Sequence, residues 1–248
     1  MSVRPVRSDL HVHTLLSPCA ELEMLPTLIL EVARMRGLEL IAITDHNSCE
    51  NAGAVMEASA GSSVKVLPGL EAQTAEGIHC LCLFDRLESA MELQEIVYSR
   101  LPRLPGGEKF YREQLVVDSG DEFVRFCERL ISMPADIELG ELWDTVTELG
   151  GMAVPSHIDK SDTGLCGVLG ILPEVPRFDA VELSANIEPV EARRRFRLPD
   201  NMALFQSSDA HFLSAIGQRD TVCWLEHRTV EELLLACRGV DGRRVCDA

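Results

Sequence analysis

A chain of 248 residues with 46% hydrophobic residues can bury one large α/β core, and 23 basic against 40 acidic residues leave a formal charge of −17. So acidic a surface is expected to repel long nucleic acid and anionic membranes, whose binding relies on basic stripes, but not a small phosphorylated substrate held in a locally positive pocket. The nine cysteines form no CxxC pair, no apolar run has membrane-spanning length and MSVRPVRSDL has no apolar signal core, so the expected setting is a reducing cytoplasm.

The predicted elements alternate. SDLHVHT (8–14) reads as a strand, and LILEVARMR, entered through Pro26 and closed by Gly37, as a helix. LELIAIT (38–44) is a continuous apolar run, the pattern of a buried parallel strand. A helix is expected over 50–60, then strands at VKVLPGLE (64–71) and IHCLCLF (78–84). Helical patterns follow near 88–98, 121–131 and 139–149, the last closed by Gly150 and Gly151. MAVPSH (152–157) and DAVELS (179–184) read as strands, EPVEARRRF as a helix, MALFQSSDAH as a strand with a loop, TVCWLE as a strand and TVEELLLACRG as a closing helix. Strand-then-helix repetition predicts a parallel sheet with helices outside it, closed or nearly closed into a barrel. LPRLPGG opens an irregular stretch near 101–138, expected to be an insertion or lid within a single domain spanning 1–248.

The seven histidines are not scattered. His11, His13, His46, His157 and His211 fall at or just past predicted strand C-termini, the end where barrel active sites are built. His79 instead begins a strand, and His227 reads as a surface residue. Glu71, Asp45 and Asp209 occupy the same strand ends. Residues two apart on a strand project to one side, roughly 6–7 Å apart, so His11 and His13 can reach one ion. Imidazoles with carboxylates suit zinc, manganese or iron, and the ligand supply exceeds what one ion needs. Two or three divalent ions are therefore expected. In IHCLCLF, Cys80 and Cys82 alternate with His79, so they are expected to face away from the pocket as inert buried thiols.

DLHVHT, TDHN, GLE and SSDAH, in this order and spacing, resemble the PHP (polymerase and histidinol phosphatase) domain. The resemblance implies an α/β fold, a distorted (β/α)7 barrel, holding three metal ions and cleaving phosphoesters. It implies a first ion on His11, His13, Glu71 and Asp209. It implies a second on Glu71, His79 and His157, and a third on His46, His211 and a carboxylate. Many members read HTxxSDG, where the Asp is that carboxylate; Pro18 stands there in this chain. Glu21 is the expected replacement, ahead of Glu23 and the softer Cys19. Asp45 is expected to orient a histidine ring or to cap a turn.

The expected function is a metal-dependent phosphoesterase acting on a small phosphorylated metabolite or nucleotide through a metal-activated hydroxide. Glu71, Asp209 and His211 are the expected catalytic residues. Lys160 and Arg219 are candidate phosphate clamps. The competing readings are a non-catalytic sensor of a phosphorylated ligand, a histidinol-phosphate phosphatase and a short-oligonucleotide exonuclease.

Overall fold

The computed structural model describes residues 2–103 and 114–246. In chain order its strands and helices are β1 (Arg4–Val12), α1 (Pro26–Met35), β2 (Leu40–Ile43), α2 (Ala52–Ala58), β3 (Lys65–Gln73), β4 (His79–Leu83) and α3 (Leu87–Arg100). A small hairpin, β5 (Leu115–Val117) and β6 (Phe123–Phe126), comes next. It is followed by α4 (Leu139–Glu148), β7 (Met152–Pro155), α5 (Leu165–Leu169), β8 (Ala180–Leu183), α6 (Pro189–Phe196) and β9 (Ala203–Gln206). The chain closes with β10 (Thr221–Leu225), α7 (Val230–Cys237) and β11 (Arg244–Cys246).

Seven strands form one curled sheet in the order β11-β10-β1-β2-β3-β4-β7, and β8 pairs with β9 in parallel. The short pair helps to close the curl. Ile158, just past β7, donates its N–H to the Glu182 carbonyl (2.9 Å), and Gln206 at the end of β9 receives and returns hydrogen bonds with Thr221 of β10 (2.8 Å each). The fold is thus the nearly closed α/β barrel that the strand-helix alternation predicts. It departs from that prediction in direction, because only β1-β2, β2-β3 and β8-β9 pair in parallel. The β1-β10, β10-β11, β3-β4 and β4-β7 ladders are antiparallel.

Strand alternation sorts the side chains into two cores. Leu40, Leu67, Leu81, Val154, Ala180 and Phe205 share the inner cluster, onto which α7 packs Val230, Leu233 and Ala236. Ile41, Leu70, Cys80, Cys82, Val181 and Leu204 point the other way, into the larger core shared with the surrounding helices. Cys80 and Cys82 are therefore buried away from the pocket. The inner stripe of β3 runs Leu67, Gly69, Glu71, and that of β8 runs Ala180, Glu182. On these strands an apolar floor gives way to carboxylates at one mouth. Gly69 is needed at its place, since a Cβ there would lie 2.6 Å from the Cys82 carbonyl oxygen across the β3-β4 ladder. Gly69→Ala is expected to destabilise the fold by about 1–3 kcal/mol, read as a lower urea midpoint.

The stretch expected to be helical near 121–131 is not a helix. Phe123–Phe126 is β6, paired antiparallel to β5. All four of its side chains are exposed, and of the apolar residues in that stretch only those after the strand, Cys127, Leu130 and Ile131, are buried. Of the predicted insertion, residues 104–113 lie outside those described. The described part is pinned to the α1 and α2 entrances. Thr27 donates to Asp121, Asn51 donates to the Leu115 carbonyl (3.1 Å) and Arg125 pairs with Glu50 (2.5 Å).

Candidate metal centre

Why β4 reverses explains where His79 goes. In the β3-β4 register Gln73 faces His79 and Glu71 faces Leu81, so the start of β4 lies beside the end of β3. His79 therefore opens onto the same mouth as the strand ends that carry the other site histidines. Around Glu71, a carboxylate only 1% exposed, the structure gathers five imidazoles. Its Oε1 lies 3.3 Å from His11 Nε2, 3.0 Å from His79 Nδ1 and 3.0 Å from His157 Nε2. Its Oε2 lies 2.9 Å from His46 Nδ1 and 3.6 Å from His13 Nε2. Asp209 Oδ1 closes the group at 3.3 Å from His11 Nε2 and 3.4 Å from His13 Nε2. His211 stacks on His13, ring centroids 4.1 Å apart.

The backbone at this mouth is bent to present these groups. Asn47, His157 and Asp209 all have positive φ (48°, 29° and 49°), a conformation costing about 1–3 kcal/mol each for a non-glycine residue. Asp9, buried on β1, accepts from the N–H groups of Ser208 and Gly217 (3.0 and 2.9 Å) and so clamps the loop that carries Asp209 and His211.

The surrounding partners assign the tautomers. His11 Nδ1 lies 2.9 Å from a carboxylate oxygen of Glu182, an acceptor only, so Nδ1 donates there and Nε2 is the atom turned to the centre. Ser17 Oγ gives its hydrogen to Asp45 (2.7 Å), so it accepts from His13 Nδ1 (3.0 Å), and His13 Nε2 is bare. The two Nε2 atoms face each other at 3.1 Å with carboxylate oxygens on either side. Glu71 Oε2 and His157 Nδ1 are buried without a hydrogen-bond partner. This set of converging imidazole and carboxylate donors suits a divalent cation such as zinc, manganese or iron.

The charge balance agrees. Burial alone would raise the Glu71 carboxyl, but His79 and His11 hold it well below the ordinary range. Burial opposes a charge on His11, yet Glu182, Asp209 and Glu71 together raise its pKa well above normal. Burial and the nearby His211 push His13 well down. For Asp209 burial again works upward, and His11 and His13 overcome it. Asp209 also holds Lys160 Nζ at 2.6 Å.

Other expected site residues are placed differently. Asp45 does not touch a ring; it accepts from Thr14 N, Thr14 Oγ1 and Ser17 Oγ (2.7 Å each) and steers His13 through Ser17. Glu21 and Glu23 are exposed, and Glu21 uses only its backbone N–H, on the His211 carbonyl (2.8 Å). Cys19 takes the place expected of Glu21, its Sγ 3.2 Å from His46 Nε2. Burial would raise this thiol, but hydrogen bonds from His211 and His46 bring it down to about 6. Arg219 reaches the Ala185 carbonyl (3.2 Å) and Glu188 (3.6 Å) rather than the imidazoles. Sequence reasoning missed Glu182, which bonds His11 Nδ1 and the His157 N–H (3.1 Å). Its one signal was a charged residue inside the apolar strand DAVELS. Among the described residues no helix is long and apolar enough to cross a membrane.

Comparison with known proteins adds a family and a fold. The model of the PHP domain matches residues 9–146. An uncharacterized protein of Methanocaldococcus jannaschii is 34% identical over 80 residues, covering 29% of this chain and 47% of that protein. Among solved structures, the lesion-specific endonuclease Q of Pyrococcus furiosus superposes with a TM-score of 0.69 at 20% identity, over 98% of this chain and 58% of the endonuclease. Endonuclease Q has also been solved with a 27-mer duplex substrate carrying an abasic lesion, and that complex gives a TM-score of 0.68 at 18% identity, over 97% of this chain and 58% of that one. A proposed metal-dependent phosphoesterase of Bifidobacterium adolescentis gives 0.59 at 18% identity, over 94% of this chain and 96% of that one. This chain thus spans roughly half of the curated relative and of the endonuclease. A fold shared with an enzyme acting on duplex DNA leaves the charge-based exclusion of long nucleic acid without support.

Proposed function

The chain belongs to the PHP domain family, and from that membership we propose that it is a metal-dependent phosphoesterase. The observation that carries this reading is the convergence of His11 Nε2 and His13 Nε2, 3.1 Å apart, beside the buried carboxylates of Glu71 and Asp209. His11, His13, Glu71 and Asp209 would hold one divalent ion, Glu71, His79 and His157 a second, and His46 with His211 a third. When bound, such ions acidify water and offset the negative charge of a phosphoester.

The chain's own groups supply the rest. Glu182 fixes the His11 ring, and Asp45 acting through Ser17 fixes His13, so the two imidazoles keep their geometry while substrate enters and leaves. Glu71, Asp209 and His211 are the residues at the reacting phosphorus. Lys160 Nζ rests on Asp209 Oδ2, at the edge of the centre, where its ammonium would be placed to bind a phosphate oxygen. Arg219 lies farther out and is proposed to meet only the distal part of a substrate.

The test is hydrolysis of a panel of phosphomonoesters, cyclic and bisphosphorylated nucleotides and short oligomers, with manganese, zinc or iron added. Activity that chelation abolishes supports the reading; a protein that binds no ion and hydrolyses nothing overturns it. Lys160→Ala is expected to raise KM about 10–100-fold, the value of one charge-assisted hydrogen bond, with kcat changed less. Nucleic acid is a second substrate class because the endonuclease that shares this fold acts on damaged DNA. Abasic-site duplexes belong in the same panel.

A further inference from the structure

The loop after β1 is fixed at both ends by bonds that use no carboxylate of its own. Ser17 is tied to Asp45 and His13, and Ala20 N–H closes a turn onto the Ser17 carbonyl (2.9 Å). The Glu21 N–H then binds the His211 carbonyl, which commits the Glu21 backbone and leaves its side chain exposed. Between these anchors Cys19 Sγ stands 3.2 Å from His46 Nε2. His211 Nδ1 lies 2.8 Å from the Asp209 carbonyl, an acceptor only, so Nδ1 donates there and Nε2 is the atom left to hold an ion. His13, His46 and His211 present ligand atoms within 4.8 Å of one another. Independently, the buried Glu71 Oε2 beside His46 Nδ1 has no hydrogen-bond partner.

We propose that Cys19 is a ligand of the third ion, completing a sulfur and two-imidazole site with His46 and His211 where a carboxylate is expected from the family motif. This rests on the metal-centre reading above. A thiolate is soft, so the third position would favour zinc or cobalt over manganese, unlike a site completed by oxygen. The enzyme would then carry ions of two affinities: a harder pair on Glu71 and a softer third on Cys19.

The test is cobalt reconstitution of the chelated full-length protein, followed by near-ultraviolet absorption and elemental analysis. A thiolate bound to cobalt gives an intense charge-transfer band that imidazole and carboxylate do not. Seven of the other cysteines are buried, in the cores or beneath the surface, and Cys246 lies in β11, so the band is attributable to Cys19 if Cys19→Ser removes it. The expected result is a band in the native protein, its loss in Cys19→Ser, and at least tenfold weaker binding of the last cobalt ion. Cys19→Asp should bind the full set of ions without the band and bind manganese at the third position at least tenfold better than the native protein. Cobalt bound without a band overturns Cys19 as a ligand while leaving the metal centre standing. A protein that binds no cobalt overturns both.

Discussion

Glu71→Gln is expected to leave a folded protein with about a thousandth of the native activity or less, and with metal content well below that of the native chain. The reason is the number of groups that meet at one carboxylate. Five imidazoles lie within 3.6 Å of its two oxygens. The amide keeps the shape of the side chain but removes the negative charge that the first and second proposed ion positions would share. Elemental analysis after dialysis, paired with phosphoester hydrolysis, reads both effects. Native metal content with native turnover in this variant would remove the centre from the mechanism.

Glu182→Gln should weaken metal binding about 10–100-fold without unfolding the chain, the usual consequence of losing a partner behind a metal-bound histidine. Glu182 is 2% exposed and accepts from both His11 Nδ1 and the His157 N–H. A neutral amide can still accept from His11, so the ring keeps its place, but the basicity the carboxylate lends to Nε2 is lost. Competition with a metal-binding dye measures the change directly. Because Glu182 touches no ion position itself, the loss should appear in affinity before it appears in turnover at saturating metal.

Much of this centre is legible in DLHVHT, TDHN, GLE and SSDAH, since short motifs at strand ends carry both residue type and direction. The helices around α1 and α4 follow from apolar spacing and from Pro26, Gly150 and Gly151. Four features were not legible, each for a physical reason. The reversal of β4 comes from a tight turn where the strand-then-helix rhythm leads one to expect a crossover, so the position of His79 at the mouth could not be read from its place at a strand start. Phe123–Phe126 shows an apolar rhythm that a helix would also show, and only pairing with β5 decides it. The exchange of Glu21 for Cys19 hangs on a backbone bond to His211, which no side-chain inventory contains. Glu182 was hidden because a buried ionised residue in an apolar strand is visible only once its partners are known.

The reversed β4 also sets where this protein is free to vary. Its connection to β3, residues 74–78, is a tight turn held by Thr74 N–H on the Ile78 carbonyl (2.9 Å), and it sits on the rim of the opening rather than beneath the apolar floor. Substitution or lengthening there would reshape the doorway through which molecules arrive while sparing the foundations that seat the ions. Related chains could thus acquire new clientele by editing five residues, with the chemistry underneath left as it was.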